Sequence, residues 1–176
     1  TVRGFREETP AAIVGSVARA TPGGTVVRVP VQVDADTLFH DDAHHLTRFE
    51  GHAIYREPGR RLTADRITME GGSSGSLAST LAEGHVVYEG EGKRGTGDSA
   101  RHRAADKTLT LEGRDRPAEV FEAASGRSWR GPSLTWVQAT DSIPIVTGTS
   151  GRSRIVGSTG SQRDGVGKPT DRGKPR

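Results

Sequence analysis

A segment rich in histidine and aspartate is the part of the sequence that most resembles a metal site. It reads His40-Asp41-Asp42-Ala43-His44-His45. Zinc favours imidazole and carboxylate ligands, but a site needs three or four of them converging on one point. The segment falls between two predicted strands, where a polar turn is expected in any case. We therefore predict a surface turn without a bound metal, which a zinc-binding assay on variants of His44 and His45 would test.

Two histidines occupy equivalent positions in a repeated pentapeptide. Gly51-His52-Ala53-Ile54-Tyr55 is nearly repeated as Gly84-His85-Val86-Val87-Tyr88. Catalysis by either histidine would require a nucleophile or a carboxylate held beside it at fixed geometry. The repetition explains both residues more simply, as outward-facing positions of equivalent strands. We expect neither catalytic residues nor enzyme activity.

A glycine-rich run, Gly90-Glu91-Gly92-Lys93-Arg94-Gly95-Thr96-Gly97, has the composition of a phosphate-binding loop. Such a loop follows a strand and opens a helix. No helical pattern follows this run, and Glu91 would repel phosphate, so we predict a hairpin loop.

The chain has no cysteine, which excludes disulfides, thiolate metal sites and a cysteine nucleophile. No cofactor is expected.

Strands must position all of these residues, because apolar residues recur with a period of two rather than 3.6. Glycine- and proline-rich breaks separate the alternating segments, as at Glu57-Pro58-Gly59 and Ser125-Gly126. These breaks predict hairpins with loops longer and looser than tight two-residue turns. Trp129 and Trp136 would lie on opposite faces of one strand unless it bulges at Gly131-Pro132, and we predict that they pack in the core.

Twelve apolar residues are predicted to face the interior. They are Val31, Val33, Leu38, Leu62, Ile67, Met69, Val86, Tyr88, Leu109, Leu111, Leu134 and Trp136. An alternating apolar face usually forms ordinary core. If the interior is instead partly unfilled, it can hold an apolar ligand, with each methylene removed from water contributing about 0.8 kcal/mol. The pattern alone leaves both interpretations open.

Two short units recur along the chain and interleave. Small residues followed by Asp or Pro stand at Ala35, Ala64, Gly97 and Gly131, spaced by 29, 33 and 34 residues. Glycines that end a short strand stand at Gly51, Gly84, Gly113 and Gly148, spaced by 33, 29 and 35 residues. The apolar parity shifts by one across Asp65-Arg66, which predicts a β-bulge there. Bulges repeated in this way would curl a sheet into an open trough.

The composition fits thin β-structure with a narrow buried interior. Hydrophobic residues make up only 31% of the chain and aromatic residues 5%. The net charge of +3 resides in residues 157–176, so the body is neutral and lacks the basic face that nucleic acids require. We predict a β domain over residues 1–156, lacking part of a first repeat at its N-terminus, and a disordered basic tail over 157–176.

The repeated units resemble the OstA-like lipopolysaccharide-transport family. The resemblance rests on a strand, then Ala-Asp-x-aliphatic, a charged loop, and a strand ending in Glu-Gly before a Val/Ile/Tyr strand. It covers roughly residues 26–156, with a weaker lead-in from Thr1. The family includes the LptA- and LptC-type periplasmic proteins and the N-terminal domain of the outer-membrane translocon. The basic tail and the weakly apolar third copy at residues 97–102 depart from its pattern.

The resemblance implies an all-β, antiparallel jellyroll folded like a taco around an open apolar groove. The twelve inward residues would then line that groove and hold the acyl chains of lipopolysaccharide. It also implies a periplasmic protein that passes lipopolysaccharide between the inner and outer membranes. Implied partners are other jellyroll proteins of the bridge, joined by edge-strand addition, the inner-membrane transporter and the outer-membrane translocon. A head-to-tail homo-oligomer is expected as well.

Two alternatives stay open. The role within the family can be LptA-like, LptC-like or that of a translocon domain. The competing function is a structural or interaction module of the cell envelope that binds no lipid. An open apolar trough distinguishes the lipid carrier from this module, whose interior would be packed solid.

Overall fold

The computed structural model describes residues 4–7, 11–20, 26–72, 77–138, 140–143, 145–146 and 154–156. The regular elements of this part of the chain are all strands, which confirms the predicted all-β class. They are β1 Gly4–Glu7, β2 Ala11–Ala20, β3 Val26–Ala35, β4 Thr37–Asp41, β5 Leu46–Glu57, β6 Arg60–Gly71, β7 Leu77–Gly90, β8 Lys93–Arg103, β9 Thr108–Glu112, β10 Ala118–Glu122, β11 Arg127–Gly131, β12 Ser133–Val137, β13 Ile145–Val146 and β14 Arg154–Val156. The predicted tail, 157–176, lies outside the described residues.

All of these strands belong to one antiparallel sheet. Its main path runs β1-β4-β5-β6-β7-β8-β10-β11-β14. Off this path, β3 pairs with both β2 and β5, β9 pairs with both β8 and β12, and β13 pairs with β12. Neighbours along the path are mostly hairpin-connected, so the sheet grows in chain order. The described segments contain no helix of the length and apolar character needed to cross a bilayer.

A line of bends crosses the sheet perpendicular to its strands. The pairing register shifts between Glu50 and Ala53 in β5, and there are matching shifts in β6 and β7. Between β3 and β4 the bend is at Asp36, and between β11 and β12 it is at Pro132. This line, here called the spine, comprises Asp36, Gly51, His52, Asp65, Gly84, His85, Asp98, Gly113 and Pro132. The predicted bulges are therefore present at Asp65 and Asp98, whereas Asp36 and Pro132 are bends between strands, and all four lie on the same line.

The spine divides the sheet into two arms that fold toward each other. Arm I contains β1, β4, β9, β12 and β13 with residues 46–50, 66–71, 77–83 and 98–103. Arm II contains β2, β3, β10, β11 and β14 with residues 53–57, 60–64, 86–90 and 93–97. Each long strand thus serves both arms, as a jellyroll of bent strands requires.

The two interleaved repeat units meet at the spine. Gly84 and His85 have φ angles of 76° and 47°, and a Cβ at Gly84 would overlap the carboxylate of Asp65. The Nδ1 atom of His85 hydrogen-bonds Oδ2 of that same aspartate at 2.8 Å. His52 and Asp36 repeat the arrangement at 2.9 Å. Each aspartate from one unit therefore caps the bend made by the glycine and histidine of the next.

The parity shift at Asp65-Arg66 is confirmed. Leu62, Ala64 and Ile67 are buried, whereas Asp65 and Arg66 are both exposed. The extra residue lies on the neighbouring strands, where Gly51 and His52 together face Asp65. Both histidines of the repeated pentapeptide point outward, as predicted, since the side chains of His52 and His85 are 92% and 88% exposed.

Two turns are tighter than the sequence suggested. Glu57 pairs directly with Arg60, and Gly90 pairs with Lys93, so each hairpin has a two-residue loop. Glu91 and Gly92 both have positive φ, at 53° and 72°, as the hairpin turn whose twist matches the flanking strands requires. The glycine-rich run is therefore mostly strand: only Glu91-Gly92 forms the turn, and residues 93–97 belong to β8.

The core fills much of the space between the arms. Phe49, Ile67 and Leu134 are among its largest side chains with less than 2% exposure. Trp136 is buried and Trp129 is partly buried against the same cluster, as predicted for both tryptophans. The strands alternate one inward and one outward residue on either side of the spine, which explains the low apolar content of the chain.

Candidate apolar binding site

The structure places all twelve predicted inward residues between the arms. Eleven of them belong to the buried core, and Met69 is partly buried against it. Three of the twelve, Leu62, Tyr88 and Leu109, also line a cavity. The inward orientation is thus as predicted, whereas contact with lipid stays a prediction.

The cavity has a volume of about 80 Å³ and lies between the arms near the strand ends farthest from the spine. Its walls are mostly apolar. The lining residues are Tyr55, Glu57, Arg60, Arg61, Leu62, Leu77, Thr80, Tyr88, His102, Ala104, Leu109 and Gln138. Tyr55, Leu77 and Thr80 were not among the predicted groove residues. Tyr55 occupies the same repeat position as Tyr88, and this equivalence was the sequence signal that would have found it.

Outside the cavity, the two arms come into direct contact at Gly95. A Cβ at Gly95 of arm II would lie 2.5 Å from Cδ1 of Leu111 in β9 of arm I. Glycine at this position therefore lets the two arms approach to direct contact, and no ligand fits between them there. The site is an apolar opening on one side of a packed core, not a trough of constant width.

Charged side chains border the open edge of arm II on its inner face. Successive register partners across five strands are Glu57, Arg60, Gly90, Lys93 and Glu122, and all of them except Gly90 are charged. Arg60, only 15% exposed, forms ion pairs with Glu57 at 3.4 Å and with Glu91. The apolar cavity consequently has a charged rim.

Lys93 is buried at the centre of a polar cluster at this rim. Its side chain is 4% exposed, and its Nζ lies 2.7 Å from Oδ1 of Asp141 and 3.1 Å from Oε1 of Glu122. The same Nζ lies 5.0 Å from the ring centroid of Trp136, whose Nε1 donates to Oδ1 of Asp141 at 3.1 Å. Trp136 in turn packs edge-on against Tyr88 of the cavity wall, with 5.8 Å between ring centroids.

Proton affinities in this cluster follow from its contacts. Burial lowers the pKa of Lys93, but hydrogen bonds to Asp141 and Glu122 outweigh it, so the pKa is raised. The hydrogen bond from Lys93 lowers the pKa of Asp141. The pKa of Glu122 is lowered first by Ser125 and then by Lys93. All three groups are therefore charged over the neutral range.

Sequence reasoning missed Lys93, because the glycines at inward positions 95 and 97 interrupt the apolar alternation around it.

The histidine-rich segment forms the turn between β4 and β5. His40 Nε2 contacts Asp42 at 2.8 Å, and His44 Nδ1 contacts Asp41 at 2.7 Å. The histidine and aspartate side chains of this segment therefore contact each other in two separate pairs. Within the described ranges no group of three or more histidine, aspartate or glutamate side chains is arranged to hold a metal ion.

A bent, unclosed antiparallel sheet with an apolar opening between its arms defines a β-jellyroll. The chain is similar in structure to LptH of Pseudomonas aeruginosa, the LptA homologous periplasmic component of the lipopolysaccharide transport device. The TM-score is 0.63 at 18% sequence identity, covering 73% of this chain and 94% of the LptH chain. No known protein-family model and no curated protein sequence matches the chain. The structural likeness establishes an LptA-like fold.

Proposed function

We propose that this protein binds lipopolysaccharide through its acyl chains and carries it, without catalysis, across the periplasm. The apolar cavity between the two arms is the observation that carries the proposal. It opens at the strand ends, is walled by Tyr55, Leu62 and Leu109, and has a charged rim. An amphiphile with an apolar chain and an ionic headgroup matches both features.

The physical basis of binding is removal of methylene groups from water. Each buried methylene contributes about 0.8 kcal/mol, so a short stretch of acyl chain suffices for measurable affinity. A cavity of roughly 150 Å³ binds benzene, and this one measures about 80 Å³. In the structure as it stands, the site accommodates the end of one chain, and a larger lipid requires the arms to separate.

The edges of the sheet support assembly with partners. On the side away from β3, strand β2 pairs with no other strand in the described part of the chain. Its Val14 is 79% exposed and Ile13 is 39% exposed. An unpaired edge bearing apolar side chains is suited to strand addition. We propose that β2 receives a strand of another jellyroll protein of the bridge or of a second copy of this chain, and that the bridge reaches the inner-membrane transporter and the outer-membrane translocon.

Titration of the purified protein with lipopolysaccharide, followed by displacement of an apolar fluorescent dye, tests the proposal. Leu77 lines the cavity and is partly exposed, so a Leu77→Asp variant should remain folded. A carboxylate in the cavity wall would oppose an acyl chain, and we expect affinity to fall at least tenfold. Ala78→Asp is the matched control, because Ala78 is the exposed chain neighbour of Leu77 and is not among the cavity-lining residues.

Equal binding by both variants would contradict an acyl site in this cavity. So would the absence of lipopolysaccharide binding by the unaltered protein at micromolar concentrations. Circular dichroism of each variant establishes that any loss of binding is not loss of fold.

A structural envelope module without lipid is the second candidate. The direct approach of Leu111 to Gly95 favours it, because the interior there is packed solid. Such a module would assemble through β2 yet leave the dye bound when lipopolysaccharide is added. The same titration therefore separates the two functions.

A further inference from the structure

The cavity is too small for a lipid with several acyl chains, so the contacts that hold the arms together at the open edge determine what enters. That opening of the arms admits lipid rests on the proposed function. The contacts between the arms are independent of it. At the spine the arms are joined covalently by every long strand, and opening must therefore occur at the far edge. The residues that connect the arms at that edge are the ones to identify.

The Lys93 cluster makes such a connection. Lys93 begins β8 in arm II, and Glu122 is its register partner in β10 of the same arm. Asp141 and Trp136 belong to arm I: Trp136 lies in β12, and Asp141 lies in the tight loop that follows it, closed by the pairing of Val137 with Ser142. The 2.7 Å contact between Lys93 and Asp141 thus joins the two arms.

The cluster is also adjacent to the cavity. Trp136 contacts Tyr88, and Gln138, two residues further along the chain, lines the opening together with Tyr88. Any movement of β12 and its loop away from Lys93 would consequently widen the cavity on this side. On the other side of the cavity, Arg60 makes its ion pairs with Glu57 and Glu91, both on arm II, so these pairs do not join the arms.

The chemistry of the contact suits a reversible connection. The ammonium group is 4% exposed, whereas the Asp141 side chain is 63% exposed. On separation Asp141 is already hydrated, and Lys93 keeps Glu122 as a partner at 3.1 Å. No buried charge is left alone in the open form, which keeps the cost of opening low.

We propose that Lys93, Glu122, Asp141 and Trp136, here called the clasp, hold the open edge of the two arms together and release to admit a lipid chain. Weakening the clasp should separate the arms even when no lipid is present. It should also speed the uptake of apolar ligands.

Distance measurement between spin labels tests the separation directly. The chain has no cysteine, so cysteines introduced at Arg61 in arm II and Ala78 in arm I, both exposed, can be labelled specifically. We expect Lys93→Met to give a longer and broader distance distribution than the parent. Lys107→Met is the matched control, because Lys107 is exposed and forms no ion pair among the described residues.

A second variant keeps the test decisive if Lys93→Met fails to fold. Asp141→Asn removes the charge but retains an oxygen that accepts the hydrogen bond from Trp136. We expect a smaller shift of the same sign, and about a tenfold faster uptake of an apolar dye, since a hydrogen bond to a charged group shifts an equilibrium by roughly that factor. Unchanged distances in folded Lys93→Met or Asp141→Asn would overturn the clasp.

The two proposals fail in different ways. If the variants open the arms but the protein does not bind lipopolysaccharide, the clasp stands and the lipid function is wrong. If lipopolysaccharide binds while the label distances stay the same in every variant, the lipid function stands and the clasp is wrong.

Discussion

Replacing Gly84 by alanine tests the claim that each bend is built from an aspartate and a glycine of two different repeat units. Gly84 has a φ of 76° and faces the carboxylate of Asp65. Gly59 is a natural control, since its φ is 75° and nothing lies within 4 Å of an added Cβ. The two substitutions share the backbone penalty and differ in the steric overlap.

The magnitudes follow from that difference. The left-handed conformation costs a non-glycine residue about 1–2 kcal/mol, which is the expected loss for Gly59→Ala. Overlap with a neighbouring group adds about 1–3 kcal/mol. The Asp65 side chain is exposed and can move, so we expect about 2–3 kcal/mol in total for Gly84→Ala. Adding Asp65→Ala to Gly84→Ala removes the overlap with the carboxylate and leaves the 2.8 Å approach to Cβ of residue 65, so it should recover part of the loss.

Urea unfolding followed by circular dichroism measures these free energies. The four variants, Gly59→Ala, Gly84→Ala, Asp65→Ala and the double variant, form a double-mutant cycle with an internal control. Equal losses of stability in Gly84→Ala and Gly59→Ala would show that the overlap with Asp65 costs nothing. An Asp65→Ala substitution that adds to the loss of Gly84→Ala instead of relieving it would show the same.

Three other predictions concern the core, the sheet edge and pH. Ile67→Ala should cost about 3–4 kcal/mol in urea unfolding, because Ile67 is fully buried and the substitution leaves a cavity; a loss below about 1 kcal/mol would contradict its core position. Val14→Lys should reduce concentration-dependent assembly in light scattering, because a charge blocks an edge strand, whereas Ala105→Lys, in an exposed turn, should not; equal assembly of both variants argues against the β2 edge. The hydrogen bond to Asp36 raises the pKa of His52. The interaction between protonated His52 and Asp36 therefore stabilises the fold in full below pH 6.5, and this stabilisation is lost as pH rises through the raised pKa. The stability difference between the parent and His52→Gln should therefore shrink with rising pH. A difference that grows with pH would contradict a raised pKa of His52.

The sequence predicted the strands well, because a strand buried on one face alternates apolar and polar residues along the chain. Leu62, Ala64, Asp65 and Ile67 show this most clearly, since the shift in apolar parity among them is enough to locate the bulge. The pairing of Asp65 with Gly84 and His85 was not predictable in the same way. It depends on which repeat unit lies beside which, and the spacings of the repeats do not contain that information.

The site was harder to predict than the fold. Lys93 is buried at an inward position, but its inward neighbour Gly95 has no side chain to continue the alternation. That glycine exists because Leu111 from the other arm needs the space, which is a tertiary reason that local sequence does not reveal. The cavity itself arises where the arms diverge, and its volume depends on packing across both arms.

Site-specific photo-crosslinking in cells that make lipopolysaccharide tests whether the lipid enters the cavity between the arms. A photoreactive amino acid at Tyr88 would lie in the cavity wall, and one at Val87 would lie on the outer face of the same strand. We expect adducts with lipopolysaccharide at Tyr88 and few or none at Val87. Equal adducts at both positions, or none at Tyr88 in a folded and abundant protein, would contradict it.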